Sequence, residues 1–300
     1  MKWRLWVLLG AVLAAVLLVF RMPAIPQSEA YHTFSDNRTL LGIPNCLDVV
    51  SNVFFLLVGV LGMRFVWRDK SKQRAQKGSI LGGRSFSSDS SHSPSSGVLT
   101  PEAPVSTFFA SCKAGARFLD SRERWPYFVF FLAVTLTAFG SVNYHLHPSD
   151  QTLVGDRLPM ALGFMSLVAA AVADRISVTA GVRLLAPLLL TGVGSVFYWQ
   201  FTQARGHGDL RPYALAQFGA LFVLLLIVVL FPPRYTRGMD FGVALGIYGV
   251  AKLLEVANNF VFALGHIVSG HTLKHVVAAA SAYWLLRMLR LRRPIARASA

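Results

Sequence analysis

Cysteine is nearly absent from this chain, with two in 300 residues, so no disulfide framework underlies the fold. Acidic side chains are also few, 14 against 29 Lys and Arg, and charged residues make up only 14% of the sequence. That is too little polar material to cover a water-soluble globule of this size. No internal repeat at a period of about 20 to 50 residues is visible, which argues against a solenoid. No pair of interrupted helices recurs in two halves, which argues against an inverted-repeat transporter. What the chain has instead is apolar residues, 54% of the total, and a mean hydropathy of +0.51. A net charge of +15 would suit either a nucleic-acid partner or a membrane protein with basic cytoplasmic loops, and its distribution decides between them.

Apolar stretches recur near 4–20, 46–67, 126–145, 158–173, 178–199, 212–231, 239–258 and 271–288. Each is about long enough for a helix to cross the ~30 Å hydrocarbon core of a bilayer. Lipid offers no partner to free backbone groups, and the stretches are too long and uniform for barrel strands, so helices are expected. The predicted fold is an all-α integral membrane bundle of seven transmembrane helices with an additional N-terminal hydrophobic helix. Residues 1–30 read as a signal-anchor or a signal peptide, with a retained anchor favoured because no clean cleavage site precedes Arg21. Residues 31–290 form the membrane domain, and 291–300 a basic tail. The stretch 70–115 is rich in Ser, Gly and basic residues and reads as a disordered linker.

With the N-terminus inside, 21 of the 29 Lys and Arg fall on the cytoplasmic side and five on the other, while Arg64, Lys252 and Lys274 lie within helices. This asymmetry predicts that both termini and the linker are cytoplasmic, and it removes most of the case for nucleic acid. The same topology separates Cys46 from Cys112, so the two cannot pair.

A titratable or metal-binding side chain within a membrane span is costly and reads first as functional. Ser141 and His145 lie four apart on one helix face, and His271 and His275 repeat that spacing in the last span. Asp156, placed after a loop over 146–155, falls at the same non-cytoplasmic level. Three imidazoles with one open position are a usual catalytic zinc set, and bound zinc acidifies water. The expected ligands are therefore His145, His271 and His275, with Ser141 and Asp156 beside them. Plainer readings exist for each residue. Asp156 suits a helix N-cap ahead of Pro159, Ser141 suits a bond to its own helix's carbonyl, and Lys252 with Glu255 suits a structural ion pair. His147 is a spare ligand candidate, while Asn258 and Asn259 lie one turn nearer the outer face.

Ser141-Val-Asn-Tyr-His145, Asp156-Arg-Leu-Pro-Met160 and Ser269-Gly-His-Thr-Leu-Lys-His275 together resemble the signature of the alkaline ceramidase and alkaline phytoceramidase family. That family lies within the CREST superfamily of membrane hydrolases, which also includes the progestin and adipoQ receptors. The resemblance covers about 31–290 without the linker. It implies zinc on His145, His271 and His275, catalytic roles for Asp156 and Ser141, and cleavage of a ceramide-like membrane lipid to a sphingoid base and a fatty acid. Animal members also carry an acidic calcium site before the first core helix. The matching stretch here offers Asp36, Asn37, Asn45 and Asp48, with only two carboxylates for an ion that prefers roughly six to eight oxygens, so calcium is not expected. Asp48, Ser51 and Asn52 are assigned to packing and site support. The alternative function on the same scaffold is a lipid-sensing receptor with a structural zinc.

Overall fold

The computed structural model describes residues 2–82 and 117–295. Among these residues the structure is helical, with two isolated bridges and no strand of a sheet. The long helices are α1 (Lys2–Arg21), α3 (Val53–Gly82) after the short α2 (Cys46–Val50), α4 (Arg124–Leu146), α5 (Asp150–Arg175) and α6 (Val178–Ala204). They are followed by α7 (Arg211–Leu230), α8 (Asp240–Val256), the single-turn α9 (Asn258–Ala263) and α10 (Gly270–Leu291).

Six of the eight expected spans are long and apolar enough to cross a bilayer by themselves. The other two are also helices. α8 is 17 residues long before the chain turns at Ala257, and α10 carries Lys274, Arg287 and Arg290 among its apolar residues. α5 starts earlier than its hydropathy suggests. Ser149 caps it in a reciprocal capping box with Thr152, so the expected loop over 146–155 shrinks to three residues and its remainder forms the first turns of the helix. At the other boundary α3 continues to Gly82, into the stretch expected to be linker. Lys, Gln, Arg and Ala between Lys70 and Lys77 are good helix formers, and no proline interrupts them. The rest of the expected linker, and Cys112 with it, lies outside the described residues.

α4 packs between α3 and α5, α5 between α4 and α6, and α10 between α8 and α3. Close approach depends on glycine where backbones nearly touch. A Cβ on Gly140 would overlap the carbonyl oxygen of Gly155, and one on Gly62 would overlap the Phe131 ring. Phe131, Leu224, Ile227, Leu285 and Leu286 fill the core, whereas Leu190, Val229 and Leu253 point outward and are largely exposed. Apolar side chains on both the inner and outer surfaces of a helical bundle suit a bilayer environment.

The two ends of the bundle differ. At one, Asp174 pairs with the fully buried Arg292 at 2.8 Å, and Glu123 receives Arg234 at 2.5 Å together with the Tyr235 hydroxyl. Arg292 and Arg117 exchange bonds to each other's carbonyls, which clasps the end of α10 to the segment before α4. At the opposite end the segment after α1 is tied to the core, with Leu210 N–H donating to Ile25 O at 2.8 Å and Arg157 to Gln27 at 2.5 Å. The Arg157 guanidinium also lies 4.2 Å from the Trp199 ring centroid. Nearby, the carboxyl of Asp36 is held below the usual carboxylate range by its bonds to Arg38, which also reaches Ile267 O at 2.7 Å.

Candidate metal centre

The histidines come from two helices that enter the same end of the bundle. His145 sits in the last turn of α4, and His271 and His275 lie on one face of the first two turns of α10. One ligand atom from each can be chosen so that all three lie within 4.8 Å of one another. His145 and His275 are buried and His271 is half-buried. The Nε2 atoms of His145 and His271 face each other at 3.3 Å.

One neighbour fixes how the His275 ring presents itself, and others hold the backbone of His145 and His271. Ser51 Oγ donates to Asp48 O at 3.0 Å and lies 2.8 Å from Nδ1 of His275. With its proton committed to the carbonyl, the serine oxygen accepts from Nδ1–H, which leaves the Nε2 lone pair of His275 free. Asn45, in the left-handed backbone region at φ 48°, donates from its side chain to His145 O at 2.8 Å. The carboxylate of Asp48 accepts from Thr272 at 2.5 Å and from Ser269 at 3.2 Å, where Ser269 is the N-cap of α10. A negative group at a helix N-terminus meets the unsatisfied N–H end of the dipole, so Asp48 anchors the turn that carries both α10 histidines. The His271 N–H donates to the side-chain oxygen of Asn258 at 2.9 Å.

Three neutral imidazole nitrogens converging in a buried pocket fit a divalent transition metal, and the serine contact to His275 is the outer bond such ligands usually carry. This cluster could hold a metal ion. One contact must change if it does. Lys274 Nζ lies 3.1 Å from His271 Nε2, and a metal on that nitrogen would leave the ammonium to Glu255, also at 3.1 Å.

The same end opens on a cavity of about 120 Å³. Ser141, Asp156, His275, Lys252, Lys274 and Glu255 line its polar head. Below them it is apolar, between Phe55, Phe130, Leu167, Leu224, Phe241 and Leu285. Asp156 lies inside α5 rather than at its start, so it is not an N-cap, and its side chain lines the cavity together with Ser141. The Gly140–Gly155 crossing, one residue before each, brings these two side chains together. The expected ion pair of Lys252 and Glu255 is present, and Lys274 joins it as a second ammonium on the same carboxylate. Two ammonium groups and the two carboxylates of Glu255 and Asp156 thus balance around the cavity head.

Sequence reasoning placed Lys274 in a helix without assigning it to the site. The available signal was its position three residues after His271, in an apolar stretch where charge is costly. It also missed Asn45 and Thr272 as supports, for which spacing gives no signal. His147 ends α4 as its C-cap and is not in the cluster. Asp36 is engaged by Arg38, and Asp48 by the α10 cap. No protein-family model matches the chain, and no curated protein matches it.

Proposed function

We propose that the protein is a zinc-dependent intramembrane hydrolase that cleaves the amide bond of ceramide or a related N-acyl sphingoid lipid. The observation that carries this reading is the opening of His275, Asp156 and Ser141 onto one cavity whose depth is apolar. In this reading α3 to α8 and α10 are the seven helices of a membrane core, and α1 is an eighth. The distribution of basic residues supports cytoplasmic termini and a metal site towards the non-cytoplasmic face.

His145, His271 and His275 would hold the metal, which polarises a carbonyl and acidifies water when bound. The lower cavity would take the acyl chain, leaving the amide at the polar head beside Asp156 and Ser141. Asp156 would accept a proton from the attacking water and return it to the amine as the carbon–nitrogen bond breaks, giving a fatty acid and a sphingoid base. The Ser141 hydroxyl would donate to the oxygen of the tetrahedral carbon. The Lys252–Glu255–Lys274 group would fix local charge around Asp156. The test is fatty-acid release from a panel of N-acyl sphingoid lipids by purified protein loaded with zinc. Turnover by the wild type, lost in Asp156→Ala and His275→Ala, is the expected result. A zinc-loaded, folded wild type that turns over none of these lipids refutes the assignment.

A further inference from the structure

At the end of the bundle away from the histidines, a cleft lies between the start of α1 and the ends of α5 and α7. Trp3, Arg4, Arg175, Phe231, Arg234 and Ile295 are among its lining residues. The charges around it do not balance. Glu123 answers Arg234 and Asp174 answers Arg292. Among the described residues no carboxylate lies within ion-pair distance of Arg4 or Arg175. Arg175 is buried, and its guanidinium is held by the carbonyls of Val228, Phe231 and Gly238, at 3.1 Å and 2.6 Å for the first two. The Val228 and Phe231 carbonyls close the C-terminal end of α7, whose dipole offsets part of this charge, but no carboxylate completes its neutralisation, and a buried charge lacking a full counter-ion is costly. Arg4 rests 5.5 Å from the centroid of the Trp3 ring.

We infer that this cleft binds a phosphate ester, with the negative group between Arg4 and Arg175 and apolar substituents against Phe231 and Ile295. A basic pocket between membrane helices on the cytoplasmic side is the setting in which anionic lipid headgroups are held. Trp3 has the ring type that settles at the headgroup level. The site gives α1 a role that the histidine cluster, at the far end, does not. It does not depend on the proposed hydrolysis.

The experiment uses the full chain in nanodiscs of phosphatidylcholine alone or doped with phosphatidic acid, with retained lipid counted by native mass spectrometry. Inorganic phosphate is the competing probe. Wild type should hold phosphatidic acid in preference to phosphatidylcholine, and Arg4→Gln should weaken that preference about five- to tenfold. The melting temperature of Arg4→Gln in pure phosphatidylcholine should stay at the wild-type value, since its side chain is only half-buried at the edge of α1. Displacement by inorganic phosphate would identify the phosphate group itself as the ligand. Retention against it would identify the intact lipid. Equal retention of the two lipids by wild type, or no change in preference in both Arg4→Gln and Arg175→Gln, would overturn the inference.

Discussion

Ser51→Ala removes one hydroxyl that the structure places between two elements, Asp48 O at 3.0 Å and His275 Nδ1 at 2.8 Å. Ser51 is 5% exposed and His275 3%, so no water replaces the lost oxygen without a rearrangement. Leaving a buried donor unsatisfied costs about 1–3 kcal/mol. Independently, loss of an outer bond to a metal-ligating histidine typically weakens metal affinity about 10- to 100-fold, which is about 1.4–2.7 kcal/mol at ~1.36 kcal/mol per decade. The two routes agree in size because they describe one bond, which holds the imidazole in the tautomer that presents Nε2. Competition between protein and a chromophoric chelator for zinc, in detergent, reads the affinity directly. The expected result is a Kd raised by one to two decades, with His275→Ala binding far more weakly still. A Ser51→Ala variant with wild-type zinc affinity, beside a His275→Ala variant that has lost it, would refute the argument that this hydroxyl orients the ring.

Asp156→Asn should keep the metal content of wild type, measured by elemental analysis, while fatty-acid release falls by about 10²- to 10⁴-fold, the usual loss for a general acid–base group. His145→Ala should lose both. Gly140→Ala forces a methyl into the Gly155 carbonyl, a backbone group that cannot swing aside, and should lower stability by at least about 1–3 kcal/mol while separating Ser141 from Asp156. Thermal unfolding checks the first effect and residual hydrolysis the second. Asp36 titrates below the ordinary value of about 3.9 because of its bonds to Arg38. The stability it contributes is therefore present above about pH 4 and lost as pH falls through its folded value. Wild type and Asp36→Asn should differ in melting temperature at pH 6 and converge towards the acid end; a constant gap would contradict this linkage.

The sequence determined the helical class because the length and uniform apolarity of its stretches leave a chain in lipid no other way to satisfy its backbone. It determined the histidine cluster as well. Two histidines four apart share a face whatever the tertiary packing, and a histidine in an apolar stretch is conspicuous. Boundaries were legible only where local chemistry marked them. The Ser149 capping box sets the start of α5, but hydropathy hid it, and that misplacement is what made Asp156 read as an N-cap. The supports of the site come from contacts between residues far apart in the chain. Ser51 meets His275 across 224 positions, Asn45 meets the His145 carbonyl across 100, and Lys274 shares Glu255 with Lys252. Spacing along one chain carries no record of such pairings, because each depends on how two helices rotate and slide against each other. That fit was decided by tertiary packing at a few glycines: Gly140, where the absence of a side chain lets two backbones meet at Gly155, and Gly62, where it makes room for the Phe131 ring.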